Sequence, residues 1–265
     1  MRRQPAVADR FYPGQPDRLR QSLAELIPEV TDKAEAKAVI TPHAGYIYSG
    51  GVAGETFARI SIPKTVIILG PNHHGRGAPL AVGTEDWDMP LGQVSLADDL
   101  TEALIEGSAL FTADDIAHRY EHSLEVQVPF LQYLQQKLRI VPVVVSRLSF
   151  EQCRQAAAEL ARAVLQYNRP ALLVASTDMT HYLSRQQASQ QDHLALNHIL
   201  QLDPAGLYDT VLSRRISMCG IMPTTITLLA ALELGAEQAE LVRYTDSGEV
   251  SGDTDQVVGY AGVVV

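Results

Sequence analysis

"VIILGPNHHG", residues 66–75, decides how this chain folds. Val66-Ile67-Ile68-Leu69 is a β-branched apolar run without alternation, the pattern of a short strand buried on both faces. Gly70-Pro71 stops it, and Asn72, His73 and His74 follow at once. In an open α/β sheet, the crevice beyond the carboxyl ends of the strands is where ligands bind. Two imidazoles placed where a buried strand stops therefore raise the prospect of a metal or catalytic site.

The segments around this stretch repeat its logic. Strand-like runs recur at Ala38–Thr41, Ile140–Val145, Ala171–Ala175 and Val257–Val265. Apolar residues at helical spacing mark helices over Gly51–Ile60, Leu96–Ile105, Ser123–Leu138, Phe150–Gln166, Gln187–Leu202 and Thr224–Leu234. Alternating strand and helix predicts an α/β fold, with a central largely parallel or mixed sheet flanked by helices. Residues 81–96, "AVGTEDWDMPLGQVSL", break the alternation and read as an inserted hairpin carrying the only Trp. With no internal repeat, low-complexity segment or linker, residues 1–265 are expected to form a single domain.

Composition excludes several classes. The chain has 265 residues, 46% of them apolar, and a formal charge of −10. That balance, with no Lys/Arg cluster, argues against a nucleic-acid surface. Apolar runs are strand-sized, too short for a membrane span. "MRRQPAVADRF" has no apolar stretch behind its basic tip, so no signal peptide is expected. Two cysteines, Cys153 and Cys219, make no disulfide framework, and a reducing cytoplasmic setting is expected.

Polar residues gather at strand ends. "AVIT" runs into Pro42-His43-Ala44-Gly45, "VIIL" into His73 and His74, and "ALLVAS" into Thr177-Asp178-Met179-Thr180-His181. Four of the eight histidines fall in these three loops, which the fold brings to one edge. Cys219, in "SMCGIMPTT" (217–225), precedes a helical run whose N-terminus would favour a thiolate; Cys153 reads as a packing group inside a helix. In "RYEHSLEVQVPFLQYL" (119–134), Leu124, Val128, Leu131 and Leu134 form a helical stripe that Pro129 either kinks or begins. Glu121, His122 and Glu125 lie at its start, Glu121 and Glu125 on one face if the helix reaches back that far. His122 next to two carboxylates would have its imidazole oriented and its pKa raised, as an orienting or proton-transfer role needs. Two His with one Cys can hold Fe, Cu or Zn and leave positions open. With Asp178 as third ligand instead, the set would be that of non-haem iron oxygenases. Phosphate-binding glycine loops, the G-x-S-x-G elbow and HExxH are all absent, which argues against nucleotide, serine-hydrolase and common zinc-protease chemistry.

"TPHAGYIYSG", "ILGPNHHG", "YEHSLEVQVPFL", "STDMTHY" and "SMCGIMP", with the opening "AVADRFYPGQPDRL" and the closing "VVGYAGVVV", together resemble the Memo family. Its microbial members are called AmmeMemoRadiSam system protein B, and the resemblance spans essentially the whole chain. It implies a fold like that of the LigB-like class III extradiol dioxygenases, with a metal-binding cleft. Carried over by motif, the implied ligands are His43, His73 and Cys219, with Asp178 and His181 lining the same cleft. A Cys in place of the dioxygenases' carboxylate ligand departs from ring-cleaving chemistry.

Three functions are thus expected, in this order. The first is a redox protein using Fe(II) or Cu, with His181, Asp178 and His122 as acid/base and orienting groups. The second is a module binding a small molecule or peptide in the same cleft. The third is a zinc-dependent hydrolase. The family's grouping name also suggests association with a radical-SAM protein.

Overall fold

A computed structural model describes residues 2–265. Four parallel strands form the centre of the sheet, in spatial order Arg139–Val145, Thr65–Pro71, Ala171–Ser176 and Ala38–Thr41. Val257–Val264 joins antiparallel beside Ala38–Thr41, and Glu240–Asp246 pairs antiparallel with it in turn. At the other side Gly92–Leu96 runs parallel to the start of Arg139–Val145, and Leu80–Val82 runs antiparallel to its end. Asp86–Met89 and Gly92–Leu96 form the hairpin expected within 81–96, with Trp87 buried. Among the described residues the result is one α/β domain built on a mixed twelve-stranded sheet. This is consistent with the LigB-like architecture.

Side chains alternate across each strand, so a strand that is apolar throughout must feed two cores. Ile67, Leu69, Val141, Val143 and Leu173 point to one, where helices Phe150–Tyr167 and Ile221–Glu233 cover the sheet. Val66, Ile68, Ile140, Val144 and Val174 point to the other, under helices Pro16–Leu26, Tyr46–Ala58 and Val128–Leu134. No helix among the described residues is long and apolar enough to cross a membrane.

One expected helix is much shorter. In place of Ser123–Leu138 the chain forms a 3-10 turn over Glu125–Gln127 and an α-helix only over Val128–Leu134. Pro129 stands in the first turn, where its missing N–H leaves no bond unmade. Glu121 and His122 therefore lie in a loop, and Glu121 and Glu125 do not share a helix face. Helices Pro16–Leu26 and Pro204–Ser213 and strand Glu240–Asp246 were not anticipated. The first buries fully only Leu19 and Leu23, and the strand is half-buried along most of its length, so neither shows a strong apolar period.

Candidate metal centre

Three adjacent parallel strands deliver the site. Thr41 is followed by Pro42-His43, Pro71 by Asn72-His73, and Ser176 by Thr177-Asp178, all at carboxyl ends. The loop 118–124 comes over this edge, and Gly70 lets it come close: a Cβ there would sit 2.5 Å from Ser123 Oγ. That loop brings His122 against the two strand-end histidines. One ligand atom each from His43, His73 and His122 lies within 4.8 Å of the others. The His73 and His122 rings stack with centroids 4.5 Å apart, and His43 meets both edge-on.

Hydrogen bonds determine which nitrogen of the His43 and His73 rings carries the proton. Ser176 Oγ donates to the Ser123 carbonyl (2.7 Å), so its only hydrogen is used. Gln127 Nε2 donates to Ser176 Oγ (2.8 Å) and to the Pro42 carbonyl, and Gln127 Oε1 accepts from Thr41 Oγ1. His43 Nδ1, 2.9 Å from Ser176 Oγ, must therefore be the donor, which leaves Nε2 as a bare lone pair. His73 is fixed in the same way by Glu121. That carboxylate accepts from the backbone N–H groups of His73, His122 and Ser123, at 2.7, 2.9 and 2.9 Å. Burial alone would raise its pKa, but these donors and the His73 side chain hold it far below the usual carboxylate range. An ionised Glu121 Oε1 lies 2.8 Å from His73 Nδ1, so Nδ1 donates and Nε2 is free. The same oxygen is 3.5 Å from His122 Nδ1.

Burial, reinforced by the neighbouring imidazoles, pushes His43 well below its ordinary value and His122 down to about 4, the reverse of the rise expected for His122 because burial outweighs the Glu121 charge. Both are neutral near pH 7, the form that binds metal. A carboxylate or carbonyl on the far ring nitrogen is also what orients metal-bound histidines. Exposure is graded: the His43 side chain is 2% exposed, His122 20% and His73 31%. The cluster thus has a dry inner wall and an open outer one.

Cys219 flanks this cluster. Its sulfur is 3.3 Å from His43 Nε2 and accepts from the Asp178 backbone N–H at 3.2 Å. Gly220, the N-cap of Ile221–Glu233, makes the approach feasible, since a Cβ there would fall 2.4 Å from Thr177 Cβ. The helix N-terminus, expected to favour a thiolate, is outweighed here in the metal-free protein. Burial first, and then the Asp178 charge, push the Cys219 thiol above its usual range, so it is an S–H directed at His43. Asp178 Oδ1 accepts from the His43 backbone N–H (2.7 Å), and its Oδ2 lies 4.0 Å from His43 Nε2; burial raises its pKa. His181 stands at the rim, donating Nδ1–H to the Ser217 carbonyl (2.9 Å) and keeping Nε2 free. His74 faces the Tyr120 carbonyl instead, and Cys153 is buried in its helix.

Of the residues singled out from sequence, the structure gathers His43, His73 and His122, with Cys219 and Asp178 beside them and His181 outside. His122, expected as an orienting group, stands in the imidazole cluster itself. Ser176 and Gln127, which set the His43 tautomer, carried no signal of their own. Glu125 turns away to bind Arg3, the Ala6 and Val7 backbone and the Tyr12 hydroxyl.

The buried imidazoles make the metal-free protein acid-labile. Burial also holds His118 down to about 4. With His43, His118 and His122 all depressed, the folded chain binds fewer protons than the unfolded chain below about pH 6.5, so stability falls as pH falls. Asp178 and Asp192, raised by burial, work in the opposite sense over part of that range, while Glu121, Asp203 and Glu249, held low, add to the loss. The melting temperature of chelator-treated protein should drop steadily between about pH 6.5 and 4. A flat profile there would contradict the neutral-imidazole assignment.

Fold and site define an α/β protein with a histidine cluster able to hold a metal ion at the carboxyl edge of its sheet. A family model described as Memo-like protein matches residues 3–264, and the chain belongs to that family. A MEMO1 family protein of Methanosarcina barkeri is 41% identical over 266 residues, covering 99% of each chain. One from Archaeoglobus fulgidus is 41% identical over 99% of this chain and 98% of its own. Another, from Aquifex aeolicus, is 38% identical with the same two coverages. The crystal structure of an uncharacterized protein from Escherichia coli K12 covers 86% of this chain and 99% of its own at a TM-score of 0.52. At 13% identity it speaks to the fold alone.

Proposed function

We propose that this chain is a metal-dependent redox protein acting on a small molecule or peptide in the strand-end cleft. The metal would be Fe(II) or Cu, held by His43, His73 and His122. The observation that carries the reading is the cluster of three imidazoles, two of them with bare Nε2 lone pairs set by Ser176 and Glu121. Neutral imidazole suits Fe, Cu, Ni or Zn and not Mg or Ca. The preference for Fe or Cu rests on the resemblance to extradiol dioxygenases and on the thiol beside His43. Bound there, such a metal supplies one-electron chemistry and polarises a ligand atom.

The chain's own groups do the remainder. His43 and Cys219 form the water-poor wall. His181, with Nε2 free at the rim, is placed to accept a proton from an incoming ligand and return it. Asp178 holds the His43 backbone and puts a carboxyl beside the ring. Association with a radical-SAM protein belongs to this reading as a partner, with no residue yet assigned to it.

Zinc-dependent hydrolysis is the second reading. It is favoured by the absence of a carboxylate among the three imidazoles, since three His is a known catalytic zinc set. Elemental analysis of protein purified anaerobically without a His-tag, beside His43→Ala, separates the two. Near-stoichiometric Fe or Cu, lost in the variant, is the expected result. Stoichiometric Zn selects hydrolysis, and no metal in either protein overturns both in favour of a metal-free binding module.

A further inference from the structure

A cavity of about 410 Å³ opens beside the imidazole cluster, and its lining includes Asn72, Arg147, Arg215, Met218, Cys219 and Met222. Cys219 forms the shared wall, its sulfur 3.3 Å from His43 Nε2, and Asn72 directly precedes His73. The volume lies in the range of small-molecule pockets. The charge of its lining is positive. The chain carries a formal −10, yet no carboxylate lines the cavity, and both charged groups in its lining are guanidinium. Neither the Arg147 nor the Arg215 side chain has an ion-pair or hydrogen-bond partner among the described residues. Both are exposed and open to a ligand, whereas Arg2, Arg3, Arg20, Arg154, Arg169, Arg185 and Arg243 are already engaged by carboxylates.

Arg215 also occupies a backbone position that does not suit it. Helix Pro204–Ser213 ends with Ile216 N–H donating to the Val211 carbonyl (2.9 Å) and Arg215 N–H to the Leu212 carbonyl (3.3 Å). That bond pair places Arg215 where a left-handed glycine normally stands, and its φ is +56°. An arginine is more strained there than a glycine, as is Leu202 at the corresponding position after helix Arg185–Leu200. The first turn of Ile221–Glu233, which no side chain caps, supplies another wall with its positive dipole end.

We propose that this cavity binds a small organic anion. Arg147 and Arg215 grip its oxyanion head, Met218 and Met222 pack its apolar body, and its far end reaches Cys219 and the imidazole cluster. Guanidinium groups match carboxylate and phosphate oxygens with paired N–H donors. As a statement of the substrate class of the metal centre, this rests on the function proposed above. As a binding site, it stands on the cavity alone.

Calorimetric titration of chelator-treated protein with benzoate, phenyl phosphate and neutral benzyl alcohol tests it. Saturable binding of at least one anion, weakened by salt, is expected, with no binding of the alcohol. Benzoate against phenyl phosphate identifies the head group. In Arg147→Ala/Arg215→Gly the anion affinity should fall at least about tenfold. Arg215→Gly alone should weaken the anion while raising the melting temperature, because glycine relieves the left-handed strain. A purely structural arginine would not move the two in opposite directions. No saturation by either anion up to about 10 mM, equal affinity in the double variant, or equal binding of the alcohol would each overturn the proposal. Metal content measured on the same preparations keeps the two readings apart. Anion binding by protein that never holds metal supports this site and removes only the redox reading.

Discussion

Replacing His122 with alanine is expected to weaken metal binding by more than 100-fold, and Cys219→Ser by no more than a few-fold. The scale comes from outer partners of metal ligands, whose loss alone costs roughly 10–100-fold in affinity; loss of a ligand should exceed it. His122 belongs to the group whose ligand atoms lie within 4.8 Å of one another, whereas Cys219 approaches only His43 within that cluster. Glu121→Gln should fall between the two. Glu121 accepts three backbone N–H groups and the His73 ring across two oxygens, and a glutamine keeps only one of those oxygens. Competition against a chromophoric chelator under anaerobic conditions measures all three variants. The reverse order, with Cys219→Ser losing the metal and His122→Ala retaining it, would assign the set His43, His73 and Cys219 that the motifs imply.

The two ligand sets differ in one residue, His122 against Cys219, and only part of that difference is written in the sequence. The parallel centre was legible because Val66–Leu69, Ile140–Val145 and Ala171–Ala175 are apolar at every position, and only a strand buried on both faces demands that. Strand ends then located His43, His73 and Asp178 at one edge, since the fold itself brings those ends together. His122 was harder. It reaches the cluster through a loop whose path depends on Glu121 collecting backbone N–H groups and on Gly70 admitting Ser123. Neither has a periodic signature. The helical stripe of Leu124, Val128, Leu131 and Leu134 even suggested a helix there, although Pro129 and the following turn allow only Val128–Leu134. The network Thr41–Gln127–Ser176–His43 was beyond reach for a similar reason: it joins three segments far apart in sequence. The basic cavity depends likewise on Arg147 and Arg215, far apart in sequence, lining one space.

The largest loss of stability is expected from Glu125→Ala. Glu125 is fully buried, and its carboxylate lies 2.7 Å from the guanidinium of the equally buried Arg3. It also accepts from the Ala6 and Val7 backbone N–H groups and from Tyr12 Oη at 2.6 Å. Burial and this carboxylate hold the Tyr12 phenol far above its usual range, so it remains a donor. Removing the carboxylate strands one buried cation and three donors at once. Breaking one side of such a pair costs roughly 3–5 kcal/mol, a large share of the 5–15 kcal/mol of an ordinary domain. At about 2–4 °C per kcal/mol for a chain near this size, the melting temperature should fall by about 10 °C. Urea unfolding of chelator-treated protein measures the loss, and a change below about 1 kcal/mol would mean that water or a rearranged partner takes over. Arg3→Met/Glu125→Leu should recover part of it, because it removes both charges rather than one. The recovery should not extend to metal affinity. Arg3 also donates to the His118 and Glu121 carbonyls, at 2.7 and 2.6 Å, and so holds the loop that presents Glu121 and His122. A double variant that regains stability but binds metal more weakly would show that this pair serves the cluster's geometry as well as the fold.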